Sequence, residues 1–499
     1  MDQLTLFNAS LENYLVDNFS ADNLCDESER QKLEKKYAEF LEVTEKFNRQ
    51  SVSYQLSKKD VLHSWLKYKE GFSANLVNIL LDEMGAVAGD WVMDPFMGSG
   101  TTALVCQMRG INSIGYDVMP ISAVSIKAKS AIMRYDVSEI RRLIEDVMSL
   151  TVPTDYHKSI PYITITRNAY PQGNERFLAY IHEWNEQSAY SPETKNLLTL
   201  CIVNSLERCS YTTKSGQYLG WDCRSPKVQE ANKARASKGQ KLLPEKYVRA
   251  EILDSKATIL DEITHVLADI ELIQKNAIDT VRAEIDFVPK SALYELPLVE
   301  ENKLKGVITS PPYCNRYDYT RTYALELVYL GLGEEEVKKM RQELLSCTVE
   351  SRSKIDELKD LYSSIGQSER FDCIYTTIKD NEAFSEVMAA LVKRKENGDL
   401  NNNGVIRMVE GYFTELAFIY AELYRVCKPG AMVAFVNDNV RYGGEVIPVD
   451  FLSCSFAEQF GFKIKTIYTL KQQKGNSSQQ MAKFGRVALR KGITVWIKE

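Results

Sequence analysis

The sequence predicts an α/β protein, a mostly parallel sheet with helices on its faces, interrupted by two mainly helical insertions. Three observations carry this prediction. Between Asp90 and Asp117 a short apolar strand, a glycine turn, a helix and a second strand ending in an acid follow one another. That order is the strand–turn–helix device of nucleotide sites. A further apolar run, Lys305-Gly306-Val307-Ile308, leads into Thr309-Ser310-Pro311-Pro312-Tyr313. Between and after these strands lie long stretches with apolar residues at helical spacing, which places helices on both sides of the sheet.

Taken in order, residues 1–61 read as a polar, mostly helical segment. Ser28 to Phe47 is dense in Glu, Lys and Arg, with Leu33, Tyr37, Phe40 and Leu41 at helical spacing. A solvated helix packed on the main domain is expected there. Ser73 to Glu83 reads as a capped helix with Leu76, Ile79 and Leu80 on one side. The strand Trp91-Val92-Met93 then ends in an acid, Asp94, and Pro95-Phe96-Met97-Gly98-Ser99-Gly100-Thr101-Thr102 turns the chain into a helix that runs to about Arg109. Glycines at 98 and 100 let the backbone approach a ligand and start the helix without a Cβ clash. No Lys follows Gly100, so the turn is not a phosphate-binding P-loop. Ile111 to Tyr116 is the next strand, and the acid that ends it, Asp117, suits the two hydroxyls of a ribose. The third strand arrives late, at Glu284 to Val288, with Ser291-Ala292-Leu293 just beyond it.

The first insertion, 135–280, reads as helix over most of its length. Its clearest helix is Tyr247 to Ala277, with Ile252, Ile259, Ile263, Val266, Ile270 and Ile273 along one stripe. Its middle differs in charge. Arg224 to Arg249 holds eight basic residues, Lys233, Arg235 and Lys238 among them, against two acidic ones, a net +6 in a chain of net charge −6. Just before it, Lys214 to Asp222 is aromatic and turn-rich. Basic charge interleaved with aromatics suits a loop that tracks a phosphate backbone; a solvated loop is the plainer alternative.

The Ser310 corner is chemically unusual for a strand end. Two prolines fix φ near −65° and remove two backbone donors, which leaves a stiff turn rich in carbonyl acceptors. Ser310 adds a hydroxyl, and Tyr313 a flat face with a polar tip. Such a corner can accept hydrogen bonds from an amino group while a ring stacks on the base that carries it. Arg316-Tyr317-Asp318-Tyr319-Thr320-Arg321-Thr322-Tyr323 follows, with tyrosines able to stack bases and Arg316 and Arg321 able to bind phosphates. The second insertion, 332–404, is helical and heavily charged. Val409 to Val426 is an amphipathic helix that Lys428-Pro429-Gly430 stops. Ala431 to Val436 is a buried strand, and Phe462 to Leu470 with Ile493 to Lys498 form a closing hairpin around a polar loop, Lys474 to Met481.

Composition narrows the class. The 499 residues are 44% hydrophobic and 26% charged, a globular composition, and the length suggests two or three domains. No apolar run is long enough for a membrane span. The opening Met1-Asp2-Gln3-Leu4 lacks the basic and apolar regions of a secretory signal, so a cytoplasmic location is expected. Ten scattered cysteines without a Cys-x-x-Cys pair imply neither a disulfide framework nor a zinc site, and four histidines argue further against a metal.

Ser310-Pro311-Pro312-Tyr313 resembles the catalytic tetrapeptide of amino-group DNA methyltransferases: Ser, Asn or Asp, then Pro-Pro, then Tyr or Phe. Asp94-Pro95-Phe96-Met97-Gly98-Ser99-Gly100-Thr101-Thr102 closely resembles the cofactor motif of the same family. The stretch from His63 to Val77, with Phe72 and Ser73, resembles the segment that leans on the methionine end of the cofactor. The Lys474 to Met481 loop resembles one bordering the target-base pocket. The resemblance covers roughly 62–130 and 284–330, more loosely 405–499, and neither insertion. It implies a Rossmann-like, seven-stranded sheet with an antiparallel last hairpin. It also implies S-adenosyl-L-methionine as cofactor, held by Phe72, Ser73, Asp94, Pro95, Phe96, Gly98, Ser99, Gly100, Thr101, Thr102, Asp117 and Ser291. Ser291 stands where the family usually has an acid near the adenine amine.

On this reading 62–134 is the cofactor half of the methyltransferase domain, 281–331 the catalytic half and 405–499 its end. DNA recognition falls to the insertions, with 135–280 preferred. The partners expected are double-stranded DNA and a cognate restriction endonuclease, with no membrane and no metal. Ser310 favours cytosine N4 over adenine N6, because family members that methylate adenine mostly carry Asp or Asn there. A cytosine-C5 enzyme would need a cysteine nucleophile, typically in Pro-Cys, and the chain has no Pro-Cys. Two rivals are an RNA or protein methyltransferase and a non-catalytic DNA-binding module.

Overall fold

The computed structural model describes residues 12–215, 218–248, 250–276, 283–471 and 483–499. The Lys474 to Met481 loop and Arg249 lie outside the described residues. The strands are β1 (Leu41–Thr44), β2 (Trp91–Asp94), β3 (Asn112–Tyr116), β4 (Thr212–Ser215), β5 (Tyr218–Trp221), β6 (Ile285–Val288), β7 (Leu304–Thr309), β8 (Cys427–Asp438), β9 (Val440–Tyr442), β10 (Glu445–Ile447), β11 (Phe462–Leu470) and β12 (Lys491–Lys498). Eight of them form one mixed, mostly parallel sheet in the order β1-β11-β12-β8-β7-β2-β3-β6, with β12 antiparallel to both neighbours. This is the α/β, Rossmann-like arrangement expected, with one strand more than the seven expected.

The additional strand, β1, pairs in parallel with β11 at the edge of the sheet. It lies inside the stretch expected to be helix up to Phe47. The Ser28–Tyr37 helix stops early, and its buried face is charged rather than apolar: Arg30 and Glu34 point inward with Tyr37. Arg30 pairs with Glu386 at 2.8 Å and Glu445 at 2.9 Å, and Glu34 pairs with Arg490. Those partners all come from distant sequence, so no local pattern announces the face.

The long helix of the first insertion is Ser255–Asn276 and does not start at Tyr247. Asp254 Oδ1 accepts the Ala257 amide at 2.9 Å and sets the start, as N-terminal acids do. Ile259, Ile263, Val266 and Ile270 are its buried stripe, packed on helices Val137–Ser149 and Pro192–Ser205. Ile252 precedes it. The second insertion folds as helices Glu334–Glu343, Ile355–Ser364, Ser368–Lys379 and Glu382–Glu396; the last three share a core with the Gly404–Val426 helix, whereas Val337 and Met340 of the first join the core of the first insertion. That helix ends before Lys428-Pro429-Gly430, which lies inside β8. Among the described residues no helix is long and apolar enough to cross a membrane.

The sheet order places the site. The chain leaves β2 toward β3 on one side, while β7 lies on the other, so the carboxyl ends of β2 and β7 flank a topological switch point.

Candidate active site

The carboxyl ends of β2 and β7 are tied together by Asp94. Its Oδ1 accepts Thr309 Oγ1 at 2.6 Å and the Phe96 amide at 3.1 Å, and its Oδ2 accepts Thr102 Oγ1 at 2.9 Å. Burial pushes its pKa up to about 6, against the three hydrogen bonds that favour the charge. One carboxylate therefore fixes the glycine turn, the helix start and the residue before Ser310.

The turn itself is left-handed at Gly98 (φ 52°) and Gly100 (φ 89°). A Cβ at Gly98 would meet the Tyr68 ring at 2.9 Å, and one at Gly100 would meet Ile126 at 2.8 Å. Both positions thus require glycine twice over, by conformation and by space. Asp117 closes the turn from β3: its carboxylate accepts the Gly98 amide at 2.8 Å and the Met119 amide at 2.7 Å. Burial pushes Asp117 up to about 6 as well. Behind the turn, the Ser99 carbonyl accepts Ser125 Oγ at 3.0 Å and the Lys129 ammonium at 3.4 Å. Burial brings Lys129 down to about 7.

A cleft opens over this turn. Phe72, Asp94, Pro95, Phe96, Gly98, Ser99, Thr101, Asp117 and Ser291 line it, and so do Ser310 and Pro312. Ser73 and Thr102 stand behind the wall with their hydroxyls engaged. Ser73 caps the Ala74–Met84 helix by accepting the Leu76 amide at 3.3 Å, and Thr102 donates to Asp94. At the corner, Ser310 Oγ donates to the Tyr313 hydroxyl at 3.2 Å. Burial raises Tyr313 above the ordinary phenol value, so its hydroxyl stays protonated.

A family profile described as DNA methylase matches residues 13–124. The chain is 48% identical over 489 residues to the Type II methyltransferase M.BsoBI of Geobacillus stearothermophilus, covering 98% of this chain and 96% of the relative. It is 36% identical over 481 residues to the Type II methyltransferase M.AvaI of Nostoc sp. and of Anabaena variabilis, covering 93% of this chain and 92% of each relative. The chain belongs to the amino-group (N4/N6) family of Type II DNA methyltransferases. Members of this family generally use S-adenosylmethionine.

The methyltransferase builds part of its cleft from residues beyond the twelve assigned to the cofactor. Tyr68, Glu70 and Gly71 line it from the segment before the Ala74–Met84 helix, and Glu343, Leu344 and Leu345 reach in from the second insertion. Tyr319 lines the cleft and Tyr323 lies behind it; both are buried, which corrects their expected role as base-stacking tyrosines. Tyr323 stacks on Tyr68 with ring centroids 5.3 Å apart and donates to Glu70. The aromatic spacing after Tyr313 marks a buried wall of the cleft rather than a surface.

The five candidate DNA residues fare differently. Lys233 and Lys238 are exposed; Lys233 and Arg235 sit on helix Pro226–Ala236, which buries no residue, and Lys238 follows its end. Arg235 donates to the Lys241 carbonyl at 2.6 Å. Arg316 adopts a left-handed φ of 67° beside the corner and donates to Asn401 at 3.1 Å. Arg321 is held by Asp318 at 3.2 Å and by Glu350, so its charge is already matched.

Proposed function

We propose that this methyltransferase moves a methyl group from S-adenosylmethionine to the exocyclic N4 amine of a cytosine flipped out of duplex DNA. The observation that carries the reading is that Ser310 and Pro312 line the same cleft as Gly98, Ser99 and Asp117. The cofactor fits this lining. Gly98 and Ser99 would pass its methionine end, with Gly100 starting the helix behind them, Asp117 would take its ribose hydroxyls, and Phe96 and Ser291 would border its adenine. Bound there, it supplies an electrophilic sulfonium methyl group.

The residues of the corner do the rest. A base amine is a poor nucleophile because its lone pair is delocalised into the ring. Ser310 Oγ, whose proton is spent on Tyr313, and the Pro311 carbonyl accept the amine protons and favour a more tetrahedral nitrogen. Pro312 stiffens the turn, and Tyr313 stacks on the base. Positioning and electrostatics supply the acceleration, with no covalent intermediate. Flipping the base costs a few kcal/mol. Serine is a short neutral acceptor and Asp or Asn reaches further; because members of the family that methylate adenine mostly carry Asp or Asn at this place, Ser310 favours cytosine, with adenine N6 as the alternative. The insertions 135–280 and 332–404 would read the DNA, and a cognate endonuclease would be the partner in restriction. Labelled methyl transfer offered to DNA, RNA and protein tests the substrate class. Label on DNA alone is expected, and label on RNA or protein with none on DNA contradicts it.

The raised pKa of Asp117 gives a pH prediction. Ionised Asp117 accepts the ribose protons, and its carboxyl takes up a proton as pH falls through about 6 rather than through 3.8. Cofactor affinity should therefore be level above about pH 7 and fall as pH drops through about 6. Calorimetry across that interval reads it. Asp117→Ala should bind weakly at every pH, and unchanged affinity in the folded variant would remove Asp117 from the site.

The basic stretch gives a second prediction. Neutralising Lys233, Arg235 and Lys238 together should flatten the salt dependence of DNA binding, by about 0.9 in slope per lost phosphate contact. An unaltered slope in a fluorescence titration would place the contacts elsewhere, with Arg316 next.

A further inference from the structure

Two residues outside every motif meet at the catalytic corner. Lys491 opens β12 and Asp438 closes β8, and the antiparallel register sets them opposite one another. The Lys491 ammonium lies 3.2 Å from Asp438 Oδ1, with 17% and 5% of the two side chains exposed. It also lies over the Tyr313 ring, 5.3 Å from the centroid. Asp438 is itself braced: its amide donates to Asn437 Oδ1 at 2.9 Å, and Asn437 donates to the Tyr412 hydroxyl at 3.0 Å.

We propose that Lys491, clamped by Asp438, is a positioning residue for methyl transfer: it fixes Tyr313 and, through Tyr313, the direction of the Ser310 hydroxyl. The inference rests on the reading of the corner given above. Ser310 has one proton. Spent on the Tyr313 oxygen, it leaves the lone pairs of Ser310 Oγ for the base amine. With Tyr313 free to swing, that proton can turn toward the amine nitrogen and compete for the lone pair that must attack the methyl carbon. A cation over one face of Tyr313 holds the ring and leaves the other face for the base.

The charge balance supports positioning over direct catalysis. The attacking nitrogen gains positive charge as the nitrogen–carbon bond forms, the carbon–sulfur bond breaks and its electron pair goes to sulfur; the nitrogen then loses one of its two protons to solvent, which leaves the methylated amine neutral. A bare ammonium nearby would oppose that charge, and Asp438 cancels it. Burial works against the charge on Lys491, but the Asp438 carboxylate beside it favours that charge, and its pKa lies above the ordinary lysine value. Lys491 therefore stays protonated throughout and takes no part in proton transfer.

The test uses the full chain with S-adenosylmethionine and a DNA duplex containing the recognition sequence. Lys491→Met should lower the single-turnover rate by about 10²-fold, the cost of misplacing a reacting group by about 1 Å. Its affinities for cofactor and DNA should stay within about twofold of wild type, and Lys491→Arg should recover the rate to within about fivefold. In a Tyr313→Phe background the Lys491→Met loss should shrink below about threefold, since the hydroxyl that carries the effect is gone.

A wild-type rate in Lys491→Met overturns the proposal, and so does an undiminished loss in the Tyr313→Phe background. An equal fall in cofactor and DNA affinity overturns it too, since Lys491 would then only hold the fold. Should Lys491→Met fail to fold, Asp438→Asn reads the same effect, and a wild-type rate there overturns the proposal equally. Ser310→Ala separates the two levels. A wild-type rate in that variant removes the reading of the corner itself, whereas an inactive Ser310→Ala beside an unaffected Lys491→Met removes only the role of Lys491.

Discussion

Ser310→Ala is expected to lower the single-turnover rate of methyl transfer by about 10²–10³-fold, the range found when one preorganised hydrogen-bonding group is removed from a reacting centre. Cofactor affinity should hardly change, because the turn that would bind the cofactor is fixed by Asp94 and Asp117 rather than by Ser310. Thr309 beside it would keep its bond to Asp94, so the strand end stays in place. The loss should appear in kcat with little change in KM, the signature of an interaction made in the transition state. Rapid-quench kinetics at saturating DNA and cofactor measure it. A rate within threefold of wild type would contradict the assignment of Ser310.

Arg394→Ala should be the most destabilising single change. Arg394 is fully buried and pairs with Asp22 at 2.7 Å, Asp399 at 3.0 Å and Glu445 at 2.7 Å. Removing it leaves Glu445, 1% exposed, with Arg30 alone and Asp399, 2% exposed, with Lys483 alone. Breaking a buried ionic cluster in this way costs about 3–5 kcal/mol. Arg394→Lys should rescue little, because one ammonium cannot reproduce the planar fork that reaches several acceptors. The effect should extend to activity. Glu445 lies in the β9–β10 hairpin, and Tyr442 of that hairpin donates to the Cys314 carbonyl at 2.7 Å, next to Tyr313. Thermal melting with and without cofactor measures the loss, and a melting temperature within a degree of wild type would contradict the structural role of this cluster.

What the sequence disclosed and what it concealed follow a physical division. β2, β3, β7 and β11 were legible to within a residue or two, because alternation, turn chemistry and bounding acids are local signals. The glycine turn and the Ser310 corner were legible for the same reason. β1 was not. Four residues in a charged run carry no strand signal of their own, and pairing with β11 is what makes them a strand. The buried face of the Ser28–Tyr37 helix was hidden because it is ionic, so apolar periodicity could not mark it. The first-insertion helix was read too long because Ile252 continues its apolar spacing, whereas the Asp254 cap decides where it starts. Lys491 and Asp438 were out of reach altogether, since only the β8–β12 register brings them to Tyr313. Glu343, Leu344 and Leu345 were likewise hidden, because nothing in a charged helical insertion indicates that its edge returns to the cleft over the glycine turn.

The central claim is that the Ser310 corner delivers a methyl group to the N4 amine of cytosine. Nucleoside mass spectrometry on DNA treated with the purified enzyme and S-adenosylmethionine tests it most directly, with Ser310→Ala as the control. N4-methylcytosine is expected with wild-type protein and almost none with the variant. N6-methyladenine as the sole product would contradict it, and would show that Ser310 does not carry the choice of base.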